Sequence, residues 1–369
     1  DIEQKRQITE ELRSGKVKLV YVSPERFVTK RFINFLKKLN VSLVAIDEAH
    51  CVSMWGHDFR PEYRELGIIK DLFENVAVHA YTATATSQVR NDIAVQLNLA
   101  NPEMIVGSFD RSNLTYKVER RLDRMAQICR VVDRHQGESG IIYCLRRKDV
   151  DEVCLALKAK GYKAAPYHAG MTNDMRKAHQ DLFINEDVDI IVATVAFGMG
   201  IDKSNVRYVI HAAMPKTLEH YQQESGRAGR DGLEAECCLF YSGSDYGVWK
   251  SILSDLDGPA GDIAREKLSK MYEYCTSLTC RHKAILDYFG QQLGKDNCKG
   301  CDICLGEVQT FDRGIEAGKQ ILECVVQLGE YFGADYTAKV LAGSRDNKIR
   351  KLKHNKLKSY GQLKKYGKN

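Results

Sequence analysis

No phosphate-binding loop of the form G-x-x-x-x-G-K-[ST] occurs anywhere in these 369 residues. The nearest approaches are Gly290…Gly294-Lys295-Asp296, Gly314…Gly318-Lys319-Gln320 and Gly361…Gly367-Lys368-Asn369. All have the wrong spacing and no hydroxyl. Such a loop wraps phosphates in backbone amides and sets a lysine against them. The sequence therefore offers no complete cradle of that kind. No apolar run approaches the ~20 residues of a bilayer-spanning helix. The first residues, Asp-Ile-Glu-Gln-Lys-Arg, carry neither an initiator Met nor a signal-peptide pattern. They read as the middle of a helix, so the chain is expected to be a fragment of a longer protein. No short-period repeat is visible, which argues against a solenoid.

The length allows about two to four domains. The 44% hydrophobic content is that of an ordinary soluble chain. The net charge of +6 is unevenly spread. Residues 339–369 hold eleven Lys or Arg against one Asp, a local +10, which leaves −4 for the remainder. A polyanion is the expected partner of that end, and a solvated lysine-rich helix is the plainer reading. Of twelve cysteines, Cys129, Cys144, Cys154, Cys237 and Cys238 lie in apolar segments, where Cys acts as a small buried hydrophobe. This usage predicts a reducing, intracellular compartment, either cytoplasmic (the bacterial nucleoid) or nuclear.

Residues 1–100 alternate strand-like and helix-like segments. Val17–Val22, Leu43–Ile46 and Val76–Tyr81 read as strands; Arg31–Leu39 and Pro61–Phe73 read as amphipathic helices. Pro102 to Asn113 reads as a linker. Beyond it, strands are expected at Gly140–Cys144, Lys163–Tyr167, Asp189–Ala193, Val206–His211 and Ala235–Tyr241. Helices are expected at Lys148–Lys160, Asn173–Asn185 and Thr217–Ser225. Strands alternating with helices imply a parallel sheet covered on both faces. From about Ser251 the pattern turns helical, with Asp262–Tyr274, Arg281–Phe289 and Gly314–Leu328 at helical spacing.

The run Leu43-Val-Ala-Ile-Asp-Glu-Ala-His50 ends an apolar strand on two carboxylates and a histidine. A buried parallel strand presents a magnesium-binding Asp and a water-activating Glu at a nucleotide cleft in this way. Next comes Cys51-Val-Ser-Met-Trp-Gly-His-Asp-Phe-Arg-Pro-Glu-Tyr63, in which Trp55, His57, Phe59, Arg60 and Tyr63 make an aromatic-rich loop suited to stacking on unpaired bases. Gly56 and Pro61 favour a turn-rich loop there over a small core cluster. Arg146-Arg147-Lys148 opens a helix whose amides and dipole can hold a phosphate. Thr194, Gly198, Gly200 and Asp202 lie in a glycine-rich turn. Arg227 and Arg230, three apart, are expected to share a helix face and to neutralise phosphate charge. Alternatively they bind only DNA backbone or pair with Asp231. Cys280, Cys298, Cys301 and Cys304 give C-x17-C-x2-C-x2-C, which fits a closed tetrahedral thiolate site. Cys275, five residues before Cys280, is left out of it.

In order and spacing these segments, with Tyr81-Thr-Ala-Thr-Ala-Thr86, Ala193-Thr-Val-Ala-Phe-Gly-Met-Gly-Ile-Asp-Lys203 and Gln223-Glu-Ser-Gly-Arg-Ala-Gly-Arg-Asp-Gly232, resemble the later motifs of superfamily 2 helicases. The aromatic-rich loop makes the likeness one to the RecQ family. The resemblance implies an α/β fold of two RecA-like parallel-sheet lobes, the first incomplete, then a helical zinc-binding module and a partial winged-helix domain. The divisions expected are 1–105, 106–248, 249–308 and 309–369. It implies ATP-dependent 3′→5′ DNA unwinding in repair and recombination, with ATP as substrate, Mg2+ at Asp47, water activation by Glu48, and His50 coupling the site to its neighbours. Thr82 and Thr84 would link hydrolysis to lobe movement. Gln223, Arg227 and Arg230 would act with Gly200 and Asp202 at the nucleotide, Arg230 as arginine finger. The aromatic loop and Arg147 would meet single-stranded DNA; Lys351, Lys353 and Lys356, on a lysine-rich helix, would meet duplex or single-strand junctions. Structural Zn2+ would sit on Cys280, Cys298, Cys301 and Cys304. The family's phosphate loop and adenine-reading glutamine would precede Asp1. Without them, the rival reading is a DNA-binding or strand-annealing fragment with no motor activity.

Overall fold

The computed structural model describes residues 2–198, 201–308 and 313–366. The chain falls into two compact units, 1–307 and 308–369.

The first unit begins with helices α1 (Ile2–Arg13), α2 (Pro24–Phe27) and α3 (Lys30–Leu36). Strands β1 (Leu43–Ile46) and β2 (Ala77–Ala80) then pair in parallel, with Leu43 opposite Ala77 and Ile46 opposite Ala80. Between them lie α4 (Pro61–Arg64) and α5 (Ile69–Leu72), and α6 (Ser87–Gln96) follows. Ile46, Val52, Leu66, Ile69, Val89, Ile93 and Leu97 form the core of this lobe. Two expectations need correction. Val17–Val22 is not a strand. It pairs with neither β1 nor β2, and Leu19 and Tyr21 are exposed; β-forming composition without a partner makes no strand. Pro61–Phe73 is not one helix. A 3-10 turn at Glu65–Ile68 divides it, and the Asn98 side chain takes up the Gly67 carbonyl at 3.1 Å.

Residues 102–111 are irregular. Six parallel strands follow: β3 (Leu114–Arg120), β4 (Ser139–Tyr143), β5 (Ala164–Tyr167), β6 (Ile190–Ala193), β7 (Val206–His211) and β8 (Ala235–Tyr241), in spatial order β3-β8-β7-β4-β6-β5. The sheet is buried on both faces, and neighbours along a strand alternate between them. Ile141 and Ile191 join one core; Ile142 and Val192 join the other. Helices α7 (Arg124–Arg134) and α8 (Arg147–Ala159) pack into the second core; α9 (Asn173–Ile184) and α10 (Leu218–Ser225) pack into the first. After α11 (Gly243–Ile252), the module helices α12 (Gly258–Thr276) and α13 (Arg281–Tyr288) place Leu268, Met271, Tyr274, Ile285 and neighbouring Phe289 in that same first core. The sheet and the module therefore share one hydrophobic interior.

The edge strand β3 is covered by the cysteine-rich turn. Tyr116 N–H donates to Gly300 O, and Asp302 N–H donates to Tyr116 O, both at 3.0 Å. An otherwise open sheet edge is thereby closed.

The second unit holds α14 (Gly314–Gln327), α15 (Ala334–Leu341) and α16 (Asn347–Lys351) around Cys324, Leu328, Val340, Leu341 and Ile349. The lysine-rich stretch is not a continuous helix, contrary to expectation. The helix stops at Lys351, Lys353 is left-handed at φ 60°, and a 3-10 turn takes His354–Lys356. Lys351, Lys353 and Lys356 are all exposed. Among the described residues, no helix is long and apolar enough to cross a membrane.

Candidate active site and metal centre

β1 delivers Asp47 and Glu48 at its C-terminal end. Tyr81 N–H donates to Ile46 O, and Ala49 N–H donates to Tyr81 O, both at 2.8 Å. The ends of β1 and β2 are thus tied around the two carboxylates. Glu48 sits at φ 49°, ψ 41°, a left-handed conformation costly for a residue with a side chain. Its N–H donates to Asp47 Oδ1 at 2.9 Å. The turn leads straight into a buried 3-10 turn, Ala49–Val52. Asp47 stays exposed while Glu48 is half-buried. Burial, then the Asp47 charge, raises the Glu48 pKa; Arg227 in the second lobe pulls the other way.

His50 is fully buried, and burial pushes its pKa down to about 4, so it is neutral at pH 7. Its Nδ1 lies 3.0 Å from Thr82 Oγ1 and 3.4 Å from Glu48 Oε2. Thr82 Oγ1 accepts the Thr84 N–H at 3.3 Å. Carboxylate, imidazole and the Thr82 turn are therefore one connected set.

In the aromatic-rich loop, Trp55 is 39% exposed and Phe59 37%. Both rings reach the surface. Arg64 covers Phe59 at 5.3 Å, and Arg60 pairs with Asp58 at 3.2 Å. Tyr63 is half-buried against the lobe core. His57 departs from the expected exposed row. Its ring stacks on His50 at 4.1 Å and meets the edge of His220, from α10, at 4.8 Å. The loop is thereby joined to the carboxylate turn on one side and to the second lobe on the other.

Gln223 lies on α10, half-buried. Arg227 and Arg230 do not share a helix face, which corrects the reading from their spacing. The helix ends at Ser225, and both arginines stand in the turns that follow. Gly229, at φ +57°, makes continuation impossible; a Cβ there would fall 2.5 Å from Asn113 Nδ2. The Arg111 guanidinium donates to the carbonyls of Gly226 at 3.3 Å, Ala228 at 3.0 Å and Gly229 at 2.8 Å. Asn113 Nδ2 donates to Gly229 O at 2.9 Å. Arg227 is 7% exposed and directed at the glycine-rich turn, where a Cβ on Gly198 would come within 2.9 Å of its Nη2. Arg230 pairs with Asp202 at 2.7 Å and donates to Ile201 O at 3.2 Å. Asp231 pairs with Arg207 instead. Gly200 lies outside the described residues. Arg147 opens α8 and is exposed.

Cys280 precedes α13, and the sulfurs of Cys280, Cys298, Cys301 and Cys304 all lie within 4.8 Å of one another. The Cys280 and Cys301 Sγ atoms are 3.9 Å apart. A tetrahedron with ~2.3 Å zinc–sulfur bonds has edges of about 3.8 Å. Gly300 N–H points at Cys298 Sγ (3.3 Å) and Cys304 N–H at Cys301 Sγ (3.4 Å), as thiolates require. Zinc on this quartet would tie the turn beside β3 to α13 and supply folding free energy. Cys275 is buried and is not one of the four clustered sulfurs. At Asp47 the donor is oxygen, as magnesium prefers.

Sequence reasoning missed Arg111, Asn113, Glu219, His220 and Lys267. All but Glu219 act on a partner more than 100 residues away, Glu219 pairs with Lys267 from 48 residues on, and no local pattern signals such contacts.

Two lobes, with paired carboxylates ending a strand of one and arginines leaving a helix of the other, define the class of two-lobed helicase-type proteins. Four family models match in turn: DEAD/DEAH box helicase over residues 2–93, helicase conserved C-terminal domain over 123–232, RecQ zinc-binding over 244–305 and RQC domain over 307–369. The ATP-dependent DNA helicase RecQ of Pasteurella multocida is 44% identical over 97% of this chain and 56% of its own length. That of Haemophilus influenzae is 44% identical over 98% and 58%, and that of Bacillus subtilis 41% over 96% and 60%. The chain belongs to the RecQ family of superfamily 2 helicases. It spans somewhat over half the length of these curated relatives. The zinc-binding match and the four-sulfur cluster together assign structural zinc to it.

Proposed function

We propose that this chain is the greater part of an ATP-dependent 3′→5′ DNA helicase acting in repair and recombination. The observation that carries the reading is the join between carboxylates and aromatic loop: Glu48, His50 and His57 in contact, with His220 of the other lobe against His57. A base stacking on Trp55 would shift this loop and so the residues around Glu48. Asp47 would hold magnesium, which supplies charge neutralisation at the phosphates. Glu48, its pKa raised, would orient and deprotonate the attacking water. Arg227, whose charge already acts on Glu48, and Arg230, tethered to Asp202, would offset transition-state charge. Single strands and duplex/single-strand junctions are the proposed substrates. Arg147 would hold a backbone phosphate and the exposed Lys351, Lys353 and Lys356 would meet the duplex. The same reading divides the chain at 1–105, 106–248, 249–308 and 309–369. No two of the twelve cysteines, all among the described residues, are joined in a disulfide, which supports a reducing intracellular site.

The rival is a DNA-binding or strand-annealing polypeptide without motor activity, favoured by the missing phosphate loop. ATP turnover discriminates. The 369-residue chain should show no DNA-stimulated hydrolysis, and a longer form carrying the loop should show it. In that form Trp55→Ala should lose DNA stimulation and keep basal turnover, while Arg227→Ala and Arg230→Ala should depress turnover with or without DNA. DNA-stimulated turnover that survives Trp55→Ala would remove the aromatic loop from the mechanism.

A further inference from the structure

Lys267 lies on α12, 212 residues from Trp55. Its Nζ donates to the Trp55 carbonyl at 2.7 Å and to the Glu219 carboxylate on α10. The lysine side chain is 12% exposed and that of Glu219 2%. Burial works against the Glu219 charge, and Lys267 more than offsets it, holding the carboxyl below its ordinary range. Three elements thus converge on one ammonium: the aromatic loop, α10 and the module helix. The residue after Glu219 is His220, which meets His57. The loop is therefore gripped twice against α10, by ring contact at His57 and through its backbone at Trp55.

We propose that Lys267 is a positioning residue that latches the aromatic loop against α10 and lets go when a single strand draws Trp55 onto a base. An ammonium has three donors. Lys267 can keep Glu219 while the Trp55 carbonyl leaves, so release breaks one hydrogen bond and strands no buried charge. The latch makes the zinc module part of the DNA response although α12 supplies none of the carboxylates or arginines proposed to act at the nucleotide. This role rests on the DNA-sensing reading of the loop.

Removing Lys267 alone would leave Glu219 buried and unpaired and could unfold the region. E219Q and E219Q/K267M avoid that, and the pair differs in the latch. With W249F added to both, Trp55 is the sole tryptophan. Acrylamide quenching is measured without DNA. One hydrogen bond to a charged group is worth about tenfold in the docked-to-released ratio, and Trp55 quenching should rise at least about twofold in E219Q/K267M. E219Q/K267R should restore the E219Q value. In a longer form carrying a phosphate loop, stimulation of ATP turnover by oligo(dT) should fall about fivefold in E219Q/K267M, because the DNA-free loop is already released. Equal quenching in E219Q and E219Q/K267M overturns the latch, whatever happens to turnover. Increased quenching with no DNA-stimulated turnover even in the unsubstituted longer protein keeps the latch and overturns the motor reading.

Discussion

Asp302 should be among the most costly single residues to remove, and the reason is the company it keeps. It sits between Cys301 and Cys304, fully buried. Its Oδ1 accepts from Arg281 Nε at 2.9 Å and from Ile303 N–H at 2.8 Å. Its Oδ2 accepts from Arg281 Nη2 at 3.2 Å and from Val118 N–H, on β3, at 3.0 Å. Burial works against the Arg281 charge, and the bonds and charge of Asp302 outweigh it. Asp302→Ala leaves that guanidinium buried, with only the Tyr274 and Ser277 carbonyls to accept from its Nη1. Breaking a buried pair from one side costs about 3–5 kcal/mol, a large share of the ~5–15 kcal/mol that holds a domain folded. Replacing both partners, as in R281M/D302L, strands no charge and should recover at least about 2 kcal/mol of the loss. Urea unfolding followed by circular dichroism gives these values. A chromophoric chelator gives zinc release in parallel, and the two should shift together because Asp302 holds both the cysteine turn and β3. A D302A cost under about 1 kcal/mol, or a double variant as costly as the two singles added, would refute the account.

Strands of the second sheet were legible because both faces are buried, so they read as mostly apolar runs; Ile190–Ala193 is wholly apolar, and Val206–His211 and Ala235–Tyr241 carry one charged residue each, Arg207 and Glu236. β3 was not legible. It runs Leu-Thr-Tyr-Lys-Val-Glu-Arg, with Leu114, Tyr116 and Val118 buried between half-buried polar neighbours, and its Lys117 is satisfied by Glu236 and Glu307 from distant segments. Val17–Val22 failed the opposite way, having the composition and no neighbour. The spacing of Arg227 and Arg230 implies a shared face only while a helix continues, and Gly229 ends that possibility. Site residues were readable where one short segment holds them all, as in Asp47–His50, Trp55–Tyr63 and the cysteine quartet. The contacts that join those segments, His57 with His220 and Lys267 with Trp55, are made by the tertiary fold.

The cysteine quartet should bind one zinc per chain at ~2.3 Å from each sulfur; loss of metal in Cys298→Ser and its retention in Cys275→Ser, read by elemental analysis, would support the assignment, and the reverse would sink it. Replacing Lys351, Lys353 and Lys356 together by Ala should flatten the log–log salt dependence of duplex binding by about 3; an unchanged slope would take them out of phosphate contact. The last prediction concerns acid. Burial would raise the Glu236 pKa, but hydrogen bonds from His135 and Arg134, with the Arg134 and Lys117 charges, bring it down to about 2. A carboxylate depressed in the folded state stabilises above its unfolded value of 4.5 and loses that contribution as pH falls toward 2. The difference amounts to about 3 kcal/mol. His135 is shifted the other way: burial opposes its charge, but Glu236 and Glu138 raise its pKa. Its share is complete below 6.5 and fades as pH rises through the folded value. Glu236→Gln should therefore lower the unfolding midpoint at pH 5 and approach the unsubstituted chain only as pH falls to about 2. Parallel midpoint curves across that window would mean that Glu236 ionises alike in the folded and unfolded chain.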